Sequence, residues 1–138
     1  MSKEIDSNIS IPTAFKGEVI NESSVLEQCS EDTSIFKIRP SLVVQPKDVS
    51  DLYTLIHYVH TRRGELSLTA RSAGTDMSGG PLTDSIVVDM TKYFNQIQTV
   101  NTEFAVTQPG VYYRDFEKET LKLGVIMPSY TASKELNT

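Results

Sequence analysis

The chain has 138 residues, 38% of them hydrophobic, and a formal charge of −5, which together suit one globular domain with a core of its own. An acidic balance gives no broad positive field. Sequence-independent grip on nucleic acid and adhesion to an anionic membrane are therefore disfavoured, and any phosphate must be held locally. The single cysteine, Cys29, cannot close an internal disulfide and fits a reducing compartment. No apolar run approaches the roughly 18 to 20 residues needed to span a bilayer. The first twelve residues have one lysine, two acids and no apolar h-region, so they do not read as a secretory signal, and a cytoplasmic protein is expected.

Residues 1–13 are polar and are expected to fray. In FKGEVINESSVLEQCSEDTSIFKIRP, Val25 and Leu26 occupy a short helical window and Asp32, Thr33 and Ser34 punctuate it, with the element type left open. The first 29 residues are treated as an extension. SLVVQP is a β-branched run ended by Pro46. KDVSDLYTLIHYVHTRR repeats Val49, Leu52, Ile56 and Val59 at helical spacing, and Asp48 is placed to cap it, with Asp51 in the first turn. Arg62, Arg63 and Gly64 provide the stop. LSLTA alternates as the next strand, so residues 41–70 predict a βαβ unit with parallel strands.

SIVVDM predicts a third buried strand. IQTV, the turn Asn101–Thr102 and EFAVTQ predict a hairpin, followed by Pro109 and Gly110. VYYRDFEKETLKLG predicts a second helix with Tyr113, Phe116, Thr120 and Leu121 on one stripe and Gly124 as its stop. The tail, VIMPSYTASKELNT, shows no further core element, and the chain reads as cut rather than completed. The fold class expected is α/β, or α+β, built on the βαβ unit.

Between LTA and SIVVDM lies RSAGTDMSGGPLTD, with almost nothing that could fill a core. A strand ending in small residues leaves main-chain N–H groups uncrowded, and such a nest binds an anion without lysine. Ligands of open α/β sheets also lie beyond the carboxyl ends of parallel strands. Gly74 and Gly79 have P-loop spacing, but Gly80 and Pro81 stand where that motif needs Lys and Ser or Thr. The dinucleotide fingerprint fails as well, because the glycines are followed by Pro81 and a strand instead of a helix. On composition alone, a Gly/Ser loop without a ligand remains open.

Four pieces in order, LVVQPKDVSDLYTLIHYVH, LTARSAGTDMSGGPLTDSIVVDMTKYFNQI, VTQPGVYYRDFEKETLKLG and MPSYTASKEL, resemble the FAD-binding domain of the FAD-linked oxidases. This is the vanillyl-alcohol oxidase / p-cresol methylhydroxylase superfamily, and the D-lactate dehydrogenase and glycolate oxidase branch in particular. The resemblance covers about residues 30–138. It implies two α/β subdomains with FAD between them, the first present here and the second incomplete. By position it implies that Arg71, Ser72, Ala73, Gly74, Thr75, Asp76 and Met77 wrap the FAD pyrophosphate with backbone amides, with Ser78, Gly79 and Gly80 following. Pro109 and Gly110 match a turn that approaches the cofactor, and Pro128, Ser129, Ala132 and Ser133 match a segment passing the pyrophosphate and ribityl chain.

Covalent members of that family carry a histidine in this loop; Thr75 and Asp76 stand there in this chain, so the FAD implied is non-covalent. The implied parent activity is oxidation of a small 2-hydroxy acid such as D-lactate or glycolate, with the remainder of the same protein needed for catalysis. No residue reads as the catalytic base. His57 and His60, three apart on the first helix, lack a third partner for a metal site and read as solvated or packing residues. Asp76 reads as a residue that bonds local backbone. The alternatives are a non-catalytic phosphate-binding, nucleotide-binding or protein-interaction module, and a chain that forms a homodimer through exposed surfaces.

Overall fold

In the computed structural model, residues 9–130 and 132–138 are described. The elements in chain order are β1 (Glu18–Ile20), α1 (Ser23–Gln28), β2 (Leu42–Gln45), α2 (Val49–His60), β3 (Leu68–Arg71), β4 (Ile86–Asp89), β5 (Ile97–Val100), β6 (Ala105–Thr107) and α3 (Tyr113–Lys122). Four strands form one sheet in the order β1-β2-β4-β3, and β5 and β6 form a separate two-stranded sheet. The mixed α/β class expected from the sequence holds.

The two strands of the expected βαβ unit, β2 and β3, do run parallel, but they are not neighbours. β4 lies between them, parallel to both, pairing Leu42 with Ile86 on one side and Leu68 with Ile86 on the other. β4 and β2 are buried along Ile86, Val87, Val88 and Leu42, Val43, Val44, which explains their continuous β-branched runs. β3 is the edge of the sheet and only half-buried.

The segment taken as an extension contributes two elements. β1 pairs antiparallel with β2, with Val19 opposite Val44. Gly17 makes this approach possible, since a Cβ there would collide with the Gln45 carbonyl oxygen and the Phe15 ring. Phe15 joins the core on one face of the sheet with Leu55, Tyr58 and Phe94, and Leu26 of α1 packs on Val43 and Val87 on the other. Ile9 and Ile11, within the 1–13 stretch expected to fray, instead pack against the first of these clusters, because the two isoleucines supply apolar surface to bury there. Residues 1–8, expected to fray, lie outside the described residues.

Helix α2 starts where expected: Asp48 caps it, its Oδ1 accepting from the Asp51 N–H at 3.0 Å. Its buried face differs from the expected stripe. Val49 and Ile56 are each 58% exposed, and the buried residues are Asp51, Leu55 and Tyr58, with Leu52 and Val59 at the margin. The difference comes from Asp51, an acid that an apolar stripe leaves out. Its carboxylate is fully buried and accepts the backbone N–H groups of Lys16 and Lys47, each at 2.9 Å, so it is paired as a buried charge must be. In α3, Phe116 and Thr120 are buried as expected, whereas Leu121 is exposed. The hairpin forms as predicted, with Asn101 Oδ1 closing its turn on the Glu103 and Phe104 amides. No helix of the described residues is long and apolar enough to cross a membrane.

Candidate functional site

The 71–81 loop leaves the carboxyl end of β3 and returns to β4 without a helix. Parallel neighbours need a long return path, and here the glycine-rich stretch supplies its first half. Its second half turns inward, with Pro81, Leu82, Thr83 and Ser85 buried. At the foot of β4 the Ser85 hydroxyl accepts the Ser67 amide at 2.9 Å. The loop crest, by contrast, is open: Met77 is 81% exposed.

Three sets of bonds shape the crest. First, Thr33 donates its N–H to the Asp76 carbonyl at 3.0 Å, and its hydroxyl approaches the carbonyls of Asp76 and Thr75 at 2.8 and 3.0 Å. Second, the Arg71 guanidinium folds beneath the loop, donating to the carbonyls of Glu31 at 2.8 Å and Cys29 at 3.4 Å. Gly74 lies directly against it at φ +70°, and a Cβ there would collide with that guanidinium. Third, Asp76 Oδ1 accepts from the Ser78 N–H at 2.6 Å, the Ser78 hydroxyl at 2.8 Å and the Gly80 N–H at 3.1 Å. The Ser78 hydroxyl, then its amide, hold the Asp76 carboxyl below its ordinary range.

The residues expected to line a ligand therefore divide. Among the described residues, the amides of Gly74, Thr75, Asp76 and Met77 meet no acceptor, while those of Ser78 and Gly80 are taken by Asp76. The Ala73 amide reaches Thr138 Oγ1 at 3.4 Å. Arg71 points its charge at the chain's own carbonyls, and Gly79, at φ +85°, packs on the Phe36 ring. Ser72 donates its hydroxyl to the Pro109 carbonyl at 2.7 Å, which brings the 109–110 turn to the loop. Gly110 faces the other way. Its N–H donates to the Phe94 carbonyl at 2.7 Å, and a side chain there would collide with the Met90 carbonyl oxygen.

Residues 132–138 form the facing side of the cleft. Thr75 donates its hydroxyl to Asn137 Oδ1, which also accepts from the Ser133 hydroxyl at 3.0 Å. This segment is anchored to α3 by Tyr113 N–H to the Asn137 carbonyl at 2.9 Å and by Lys134 to Glu117 at 3.0 Å. The loop and this segment, with Ala132, Ser133 and Leu136, enclose a cleft of about 810 Å³. Pro128, Ser129 and Tyr130 line a second cleft of about 630 Å³, walled by Phe104 of the hairpin and by Phe116 of α3. Asn137 and Thr138 line both clefts.

Cys29 lies half-buried near Arg71, and burial pushes its thiol above its ordinary range. His57 and His60 lie at the far end of α2, with His60 beside the Arg63 guanidinium at 2.8 Å. Among the described residues no group of three or more His, Cys, Asp and Glu could hold a metal ion. Thr33 and Asn137 are the residues that sequence reading did not single out for the site. Thr33 meets its partners 42 and 43 positions along the chain, which no local pattern displays.

Residues 40–138 match the family model described as FAD binding domain. The D-2-hydroxyglutarate dehydrogenase of Pseudomonas putida is 30% identical over 92 residues, which are 66% of this chain and 9% of that protein. The chain thus spans about a tenth of the length of the curated relatives it matches. Among solved structures, 6-hydroxy-D-nicotine oxidase from Arthrobacter nicotinovorans superposes with a TM-score of 0.68 at 26% identity, covering 85% of this chain and 26% of that one. p-Cresol methylhydroxylase with substrate bound superposes with a TM-score of 0.70 at 21% identity, covering 86% and 24%, a likeness of fold.

Proposed function

Since the chain belongs to the FAD-binding domain family of the flavin oxidoreductases, we propose that it holds the diphosphate of non-covalent FAD in the 71–81 loop of a cytoplasmic enzyme that oxidises a small 2-hydroxy acid. The substrate class is carried over from the D-2-hydroxyglutarate dehydrogenases it resembles. The diphosphate would meet the amides of Gly74, Thr75, Asp76 and Met77, with Ser133 on the facing segment of the cleft. FAD supplies the hydride or electron chemistry when bound, and the protein supplies binding and orientation. These residues include no base for the substrate. Substrate binding, and most contacts to the flavin ring, are assigned on this reading to polypeptide outside residues 30–138, which form the first subdomain and the start of the second.

The observation that supports this reading most is the run of amides at Gly74, Thr75, Asp76 and Met77, which meet no acceptor among the described residues. Gly74 keeps that run in shape, since its left-handed backbone lies against the Arg71 guanidinium with no room for a side chain. An alanine there would have to leave the left-handed conformation and push the Arg71 guanidinium aside, turning the crest amides out of line, so Gly74→Ala is expected to weaken binding of ADP, the diphosphate-bearing half of FAD, roughly tenfold. Isothermal titration with ADP, and flavin fluorescence with FAD, measure it. Weak FAD binding by the wild-type chain is expected. Affinity as tight as that of a complete oxidase would refute the assignment of the flavin contacts elsewhere, and equal ADP affinity in Gly74→Ala would refute the role of the loop.

A further inference from the structure

The amides left open at the loop crest owe their direction to a residue outside the glycine-rich stretch. Thr33 lies in the connection from α1 to β2, and it holds two successive carbonyls of the loop: Asp76 by its N–H at 3.0 Å and its hydroxyl at 2.8 Å, and Thr75 by the same hydroxyl at 3.0 Å. One hydroxyl proton is shared between those two acceptors. Among the described residues no peptide bond is cis. In a planar trans peptide the N–H points opposite to the preceding C=O. Holding the carbonyls of Thr75 and Asp76 toward residue 33 therefore turns the N–H groups of Asp76 and Met77 the other way, away from this strap between α1 and β2 and toward the exposed side of the loop. The strap is itself fixed. Arg71 grips the carbonyls of Cys29 and Glu31 just before it, and the Ile38 N–H donates to Ser30 at 2.9 Å, closing the connection into a compact turn.

We propose that Thr33 is a positioning residue that presents the Asp76 and Met77 amides to a diphosphate. The proposal rests on the FAD reading for its ligand, but the direction and order of the amides can be read without one. The test compares the wild type with Thr33→Val, which keeps the shape and removes the hydroxyl, and Thr33→Ser, which keeps the hydroxyl. Thr33 is exposed, so all three should melt at nearly the same temperature. In ¹⁵N relaxation of the ligand-free proteins, the amides of residues 75–77 should gain fast motion in Thr33→Val alone, while those of β2 and β4 stay unchanged. Titration with ADP should show Thr33→Val weakened roughly fivefold, the effect of one hydrogen bond, and Thr33→Ser near wild type. Unchanged relaxation at residues 75–77 in Thr33→Val would overturn the proposal, as would ADP affinity equal to wild type. A wild type that fails to bind ADP would instead overturn the FAD reading, and the relaxation data would still decide whether Thr33 orders the loop.

Discussion

At the scale of single residues, Asp76 works in two directions. Its carboxylate orders the crest by holding Ser78 and Gly80, yet it adds a negative charge beside a site read as taking a diphosphate. Asparagine retains the accepting oxygen and removes the charge, so Asp76→Asn should tighten ADP binding by roughly two- to fivefold at low salt, the range of an exposed charge contact, with the gain fading as salt is raised. Asp76→Ala removes both and should loosen the crest. The hydrogen bonds from Ser78 lower the carboxyl's pKa in the folded protein. The order it gives is therefore complete above the ordinary carboxylate range and is lost as pH falls through the lowered value. The Ser78 and Gly80 amide shifts should accordingly titrate below the midpoint of about 4 typical of free aspartate, which an NMR pH series would read. A midpoint at or above that of free aspartate would contradict the geometry.

At the scale of elements, the anchor of α2 is a buried acid. Asp51 joins the helix to the turn before it through Lys47 and to the N-terminal segment through Lys16. Asp51→Ala would leave two backbone N–H groups without their acceptor and should cost about 3 kcal/mol, seen as a lower midpoint in urea denaturation. Asp51→Asn, which keeps one accepting oxygen, should cost less. What the sequence displayed follows from this. Strands β2 and β4 stood out because both faces are buried, α2 because Asp48 and Gly64 bracket it, and the hairpin because Asn101 makes its turn. Four features were hidden because they depend on partners distant in sequence: the insertion of β4 between β2 and β3, the pairing of the short β1, the burial of Asp51 and the strap from Thr33. Within the loop, small residues revealed where the backbone is bare. They did not reveal that Asp76 would take up the Ser78 and Gly80 amides or that Arg71 would turn beneath Gly74.

At the scale of the whole molecule, stability is concentrated in the four-stranded sheet. β4 is paired on both edges and covered on both faces, whereas every residue of β6 is exposed and its strand has a single neighbour. Native-state hydrogen exchange should therefore be slowest at Val87 and Val88, approaching the free energy of global unfolding, and far faster at Val106. Comparable protection of the two would show that the hairpin is as firmly held as the sheet.

The path from β3 to β4 carries one more consequence. A chain crossing between parallel neighbours must travel back along the sheet in any case, and this protein lays its bare amides along that compulsory journey. The bare amides therefore come with the crossover itself, while Thr33 and residues 132–138 only shape and face them. Its span is tied to the strand register, with Leu68 and Leu42 both level with Ile86. A deletion near Gly79 would pull on the start of the central strand, so the geometry that would grasp an anion and the geometry that closes the sheet are inherited together.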